Sequence, residues 1–162
     1  METGAILSEC RNYRYALWRI WDDSLPVCNF IMLNPSTADE TEDDPTIRRV
    51  IGYATDWDYG GVYVTNLFAL RATDPKELRN HVDPVGPENN DVLIECSSHS
   101  PLILCAWGNH GKLNNRSTEV VELLGERNLH CLKVSKNEEP MHPLYQKKDL
   151  KPIILRERNE SR

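Results

Sequence analysis

Asn34 closes the apolar run Phe30-Ile31-Met32-Leu33 and is followed by Pro35-Ser36-Thr37-Ala38-Asp39 and then Asp43-Asp44-Pro45-Thr46. A strand-like segment therefore ends abruptly in small polar residues and a helix-start signal. Proline confines the residue before it to extended or turn geometry and removes one backbone donor, which places the Asn34 carboxamide at a strand end. Three further polar clusters have the same character: Asn66 in Thr65-Asn66-Leu67-Phe68, Trp107-Gly108-Asn109-His110-Gly111, and Met141-His142-Pro143-Leu144-Tyr145. A carboxamide can hold a water or read a hydrogen-bonding edge through its paired donor and acceptor, and a histidine can donate or take a proton near neutrality. Taken singly, each has an ordinary structural explanation: a capped turn for Asn34, a satisfied backbone group for Asn66, a structural histidine for His142. They converge on one pocket if the strands before them are parallel, because ligands bind in the crevice beyond the carboxyl ends of open α/β sheets.

The elements that must position these residues are readable in outline. Residues 13–21 are rich in aromatic and apolar side chains, and Asp22-Asp23-Ser24 with Pro26 supplies a turn, which predicts an antiparallel hairpin feeding a strand over 27–33. Asp44 as N-cap, Pro45 at the first helical position, and Ile47, Val50, Ile51 and Ala54 at helical spacing predict a helix with one face on the sheet. Gly60-Gly61 breaks the chain before a buried-type strand over 62–67, and Asp74-Pro75 starts a short helix. A Pro/Gly segment over 82–87 leads into a helix containing Val92, Leu93 and Cys96. Pro101 opens a strand over 102–106, residues 117–124 read as a helix and 129–134 as a strand, and a charged, frayed tail begins at about 157. Strands alternating with helices predict a single α/β domain over 1–162, a three-layer α/β/α arrangement whose mainly parallel central sheet is preceded by an N-terminal β-hairpin.

Composition narrows the function classes. At 162 residues, 40% hydrophobic and 27% charged, the chain is long enough to bury a core without disulfides or a structural metal. No run approaches the roughly 20 apolar residues that span a bilayer, and Met1-Glu2-Thr3-Gly4 has neither a basic nor an apolar leader character, so a cytoplasmic protein without membrane partners is expected. Five scattered cysteines, Cys10, Cys28, Cys96, Cys105 and Cys131, fit reduced core thiols, and no C-x-x-C pair points to zinc or iron–sulfur. A net charge of −6 weighs against tight non-specific binding to duplex DNA, although Arg48, Arg49, Arg71, Arg79, Lys147, Lys148 and Lys151 leave room for a local basic cleft.

The order and spelling of the clusters carry a family resemblance. Tyr13-Arg14-Tyr15, Met32-Leu33-Asn34-Pro35-Ser36-Thr37-Ala38-Asp39, Asp43-Asp44-Pro45-Thr46, Asn66-Leu67-Phe68-Ala69-Leu70-Arg71, Ala106-Trp107-Gly108 and His142-Pro143-Leu144-Tyr145 resemble the bacterial and phage family called domain of unknown function 1643, from Cys10 to about Pro152. A more remote resemblance is to the uracil-DNA glycosylase superfamily. There a strand ends in an Asn-Pro-Gly type loop, a middle strand carries a base-reading Asn, and a late His-Pro-Ser segment supplies a histidine. Leu33-Asn34-Pro35-Ser36, residues 62–67 and His142-Pro143-Leu144 look like these three landmarks in order, with Ser36 in place of Gly and Leu144 in place of Ser.

That second resemblance implies cleavage of an N-glycosidic bond of a modified or damaged nucleobase, in DNA and single strands included, or binding at such a bond. Asn34 would position the water, Asn66 would read the base edge, and His142 would donate to the leaving base. Pro35, Ser36, Gly108 and Leu144 would border the substrate, with Trp107 or Phe68 to stack on the base and Arg71 nearby. Free nucleosides or nucleotides are the alternative substrates, and a non-catalytic nucleotide or nucleic-acid module is the alternative class. Asp39 is a second candidate water activator, since carboxylates serve as general bases, while Asp44 reads as a helix cap. The acidic run Asp39, Glu40, Glu42, Asp43 and Asp44 suits magnesium or manganese in chemistry, but adjacent acids on a loop read first as a solvated turn. No metal and no cofactor are expected. Gly108 and Gly111 form a turn that could cradle phosphate without the Lys-Ser/Thr ending of a P-loop, and no Gly-x-Ser-x-Gly elbow supports a serine hydrolase.

Overall fold

The computed structural model describes residues 1–36 and 38–159. Along the chain run β1 (Glu2–Leu7), β2 (Arg14–Ile20), β3 (Val27–Met32), α1 (Pro45–Asp56), β4 (Gly61–Asn66), α2 (Pro75–Asn80), α3 (Asn89–Ser98), β5 (Ile103–Cys105), a 3₁₀ segment (Asn109–Asn115), α4 (Arg116–Leu123), β6 (Leu129–Cys131) and β7 (Ile153–Arg156). The strands form one seven-stranded sheet in the order β1-β2-β4-β3-β5-β6-β7. Its centre, β4-β3-β5-β6, is parallel. Its flanks are antiparallel, β1 on β2 on β4 at one side and β7 on β6 at the other.

The sheet is therefore mixed, which corrects the expected mainly parallel one. The antiparallel share comes largely from two strands with weak sequence signals: β1, which has a glycine at its middle, and β7, whose Ile153 and Ile154 stay exposed at an edge. The hairpin also differs from expectation. Its two strands are β1 and β2, and β4 lies between β2 and β3. The loop after β2 does not fold straight back, because the Trp21 and Asp22 amides both donate to the Gly60 carbonyl and the chain passes over the start of β4. Gly60 permits that crossing, since a Cβ there would sit 1.9 Å from the Asp22 carbonyl oxygen.

Packing follows strand alternation. Cys28, Phe30 and Met32 of β3 join Ile47, Val50, Tyr53 and Ala54 of α1 in one apolar cluster. Ile31 joins Leu78 of α2, Leu93 of α3 and Val120 of α4 in a second. The expected start of α1 is present: the Asp44 carboxylate accepts from the Ile47 amide at 2.9 Å and Pro45 follows in the first turn. From β3 the chain crosses through α1 to β4 on one side, then returns through α2 and α3 to β5 on the other. That reversal makes the gap beyond the carboxyl ends of β3 and β5 the topological switch point, where a ligand crevice is expected.

The acidic run is organised by a cation of β2. Arg19 is only 1% exposed; its Nε donates to Asp43 Oδ1 at 2.8 Å and its Nη2 to the carbonyls of Asp39 at 2.7 Å and Glu42 at 3.2 Å. Among the described residues no group of three or more His, Cys, Asp or Glu side chains is arranged to hold a metal ion, and no helix is long and apolar enough to cross a membrane. All five cysteines are free; burial pushes the Cys28 thiol up to about 12 and those of Cys96 and Cys131 to about 11, while Cys10 is exposed. The segment after β7 is tied back as far as it is described, with the Arg158 amide donating to Asn128 Oδ1 and the Asn159 amide to the Gly125 carbonyl. The rest of the expected frayed tail, 160–162, lies outside the described residues.

Candidate active site

A cleft of about 520 Å³ opens at the carboxyl edge of the parallel strands, within the usual range for small-molecule sites. Asn34, Pro35 and Ser36 reach it from the loop after β3, Asn66 from the last position of β4, Trp107 and Gly108 from the loop after β5, and His142 and Leu144 from the segment between β6 and β7. Eight of the residues singled out in the sequence thus line one space, and they come from four separate stretches of chain.

Each polar group presents a defined face. Both amide hydrogens of Asn34 are engaged, Nδ2 donating to the Ala72 carbonyl at 2.7 Å and the Pro35 carbonyl at 3.1 Å, so the group left for a visitor is the acceptor Oδ1. Asn66 is wholly buried, and neither its Oδ1 nor its Nδ2 finds a partner among the described residues. Its backbone is clamped instead: Asn89 Nδ2 donates to the carbonyls of Asn66 at 2.9 Å and Leu67 at 3.0 Å, and Arg116 Nε to that of Leu67 at 2.8 Å. The backbone that carries the carboxamide is thus fixed, while its donor and its acceptor stay unpaired among the described residues. His142 Nδ1 accepts from the Leu144 amide at 3.1 Å, which leaves the proton of the neutral ring on Nε2. Burial holds the His142 pKa below the ordinary histidine value, against the pull of Asp44.

The apolar wall is set by Trp107, whose Nε1 donates to the buried Glu139 carboxylate at 2.6 Å; the other Glu139 oxygen accepts from Ser117 Oγ at 2.8 Å. Gly111 lets the indole lie against the following turn, because a Cβ there would come within 2.2 Å of the ring.

Asp39, Phe68 and Arg71 lie outside the cleft lining. Asp39 Oδ1 closes its own loop, accepting from the Thr41 and Glu42 amides at 2.9 Å each, and those bonds hold its pKa below the usual carboxylate range. Phe68 is fully buried in the second apolar cluster. Arg71 reaches back to the Arg11 carbonyl at 3.4 Å. Replacing Asp39 with alanine is expected to loosen the loop, seen as a small fall in melting temperature, while the rate of any reaction in the cleft stays unchanged.

Two charged residues of the lining went unnoticed as cleft residues in the sequence. Asp44 caps α1 through Oδ1 and also faces the cleft, close enough to His142 to be felt in its titration. Arg14 of β2 is 2% exposed and contributes to the same lining. The signal for Arg14 was its place between Tyr13 and Tyr15 in an apolar strand, a setting where a charged side chain needs a reason.

A family model described as Protein of unknown function (DUF1643) matches residues 14–144. No curated protein and no solved structure matches the chain.

Proposed function

Since the chain belongs to the DUF1643 family, whose description names no activity, we propose from the cleft itself that the protein is a uracil-DNA-glycosylase-like hydrolase. It would cleave the N-glycosidic bond of a modified or damaged nucleobase in DNA. The three-layer α/β/α arrangement of that superfamily belongs to this reading, supported by two apolar clusters that join α1 and α2–α4 to alternate residues of β3. The observation that carries the proposal is Asn66. A buried carboxamide with a vacant donor and a vacant acceptor side by side is matched by the hydrogen-bonding edge of a nucleobase, which offers an acceptor beside a donor.

The other groups divide the chemistry. N-glycosidic cleavage develops positive charge on the sugar and negative charge on the departing base, so catalysis needs a placed water and a donor aimed at the base. Asn34 Oδ1 holds the water by accepting a hydrogen bond from it, as its tethered amide leaves it able to do. His142 gives a neutral Nε2–H to the base as charge accumulates there. Asp44, in the lining where Asp39 is not, stands as the carboxylate able to assist the water or the sugar cation. Trp107 offers an aromatic wall against which the base can rest. The scheme runs without a metal or cofactor.

A second reading keeps the bond and changes the substrate to free nucleosides or nucleotides, favoured by the net charge of −6, which opposes binding to a polyanion. Incubation with single- and double-stranded oligonucleotides carrying a panel of modified bases, alongside the matching monomers, separates the readings by mass spectrometry of released base. Release from oligonucleotides is the expected result; release from monomers alone selects the second reading. Binding without release from either would remove hydrolysis and leave a base-binding module.

A further inference from the structure

Three arginines of the core are almost completely buried, and they are not alike. Arg19 has the Asp43 carboxylate at 2.8 Å, and Arg116 has that of Glu119 together with Asn90 Oδ1 at 2.7 Å. Arg14 has no carboxylate within ion-pair distance among the described residues. Its Nη1 donates to the Ala38 carbonyl at 2.8 Å, and its buried Nε has no partner among the described residues. A guanidinium taken out of water without a counter-charge costs several kcal/mol. Burial lowers its pKa only to about 10, so the charge persists at neutral pH. Asp44 and Asp39 act on it from a distance, but Asp44 Oδ1 already serves the Ile47 amide and Asp39 Oδ1 the Thr41 and Glu42 amides.

Arg14 also lines the same cleft as Asn34, Asn66 and His142. An uncompensated, immobilised guanidinium facing a ligand cleft matches an anion in both charge and shape, because its planar fork pairs with phosphate through two parallel hydrogen bonds. We infer that Arg14 anchors a phosphate group of the ligand inside the cleft, so that the species recognised is a nucleotide rather than a neutral nucleoside or a free base. The inference rests on the nucleobase reading for the rest of the ligand. The phosphate itself is read from Arg14 alone. Its source is either the monoester of a free nucleotide or a diester of a strand threaded past the base.

Isothermal titration of the full chain with inorganic phosphate, a nucleoside, its 5′-monophosphate and a short single-stranded oligonucleotide containing it tests the inference. The phosphorylated forms are expected to bind roughly tenfold to a hundredfold more tightly than the nucleoside, the range for hydrogen bonds to a charged group. Inorganic phosphate should compete with them, and in Arg14→Gln the phosphorylated forms should bind no more tightly than the nucleoside binds to that same variant. A preference for the monophosphate assigns the anchor to a free nucleotide, and one confined to the oligonucleotide assigns it to a diester. Equal binding of nucleoside and phosphorylated forms by the native chain, or an advantage that survives in Arg14→Gln, overturns the inference. If that variant does not fold, Arg14→Lys, which keeps the charge but not the fork, should retain only part of the advantage; a full advantage there counts against the anchor. Binding is read without turnover, so a nucleotide held through Arg14 but left intact removes the hydrolase reading and keeps the anchor. Base release with no phosphate preference does the reverse.

Discussion

Asn66→Ala is expected to abolish recognition of the base while making the protein no less stable, and more stable by up to a few degrees in Tm. Most buried asparagines behave in the opposite way, because truncation breaks hydrogen bonds that hold the fold. Here the carboxamide makes none among the described residues, although the residue is wholly buried. Leaving one buried donor or acceptor unsatisfied costs about 1–3 kcal/mol, so removing both relieves a standing penalty. Truncation gives up the packing of a buried side chain, which offsets part of that gain, while the backbone of Asn66 and Leu67 remains clamped by Asn89 and Arg116. For a chain of this size about 1 kcal/mol corresponds to roughly 2–4 °C in Tm. Binding moves the other way, because a site built to satisfy a donor and an acceptor discriminates by leaving them unpaired when the wrong group enters, an effect of up to about 10⁴-fold. Asn66→Asp sharpens the test: a buried carboxylate offers acceptors only, so binding should fail and stability should drop. Calorimetry and titration on the same samples check both. A lower Tm for Asn66→Ala with affinity unchanged would make the residue a structural one and end its role as base reader.

How much of this was legible beforehand depended on whether local chemistry or distant pairing decided the outcome. The loop at Asn34 was legible because proline constrains its neighbour, and α1 because an Asp-Pro start and helical spacing are local signals. The strands β3, β4 and β5 announced themselves as apolar runs, and their parallel pairing brought three of the four polar clusters to one edge. Arg14 was legible only as an arginine in an unusual, aromatic setting; its place in the cleft depends on the loop after β3, whose Ala38 carbonyl accepts from its guanidinium. Asp39, expected as a water activator, lies outside the cleft because Arg19, a residue of another strand, gathers the loop carbonyls and leaves Asp39 to cap its own turn. Of the two aromatic candidates Trp107 lines the cleft and Phe68 is core, and the indole is fixed there by Glu139, which lies far along the chain. In each of the latter cases the deciding atom belongs to a residue remote in sequence.

His142→Ala is expected to slow base release by roughly a hundredfold to a thousandfold, the loss of about 3–4 kcal/mol that follows removal of one donor to a developing anion. His142→Gln, whose amide keeps a donor on a side chain of similar reach, should recover part of it. The pH dependence separates a catalytic ring from a merely structural one. The Leu144 amide occupies Nδ1, so the active form is the neutral ring with its proton on Nε2, and protonation of Nδ1 would break that bond. Burial holds the His142 pKa below its ordinary value, with Asp44 opposing. The acid limb of the rate profile should therefore lie below about 6.5, the value for an unperturbed histidine, and should be absent from the residual activity of His142→Ala. Stability carries the same signature. Between the lowered folded value and about 6.5 the unfolded chain binds a proton that the folded chain does not, so the contribution of His142 is complete above that window and is lost as the pH falls through it. His142→Ala should flatten that part of the stability curve. Asp44→Asn, by withdrawing the charge that favours the imidazolium, should move the acid limb still lower in pH. A limb that stays in place in both variants would assign the titration to another group and leave His142 without a part in the chemistry.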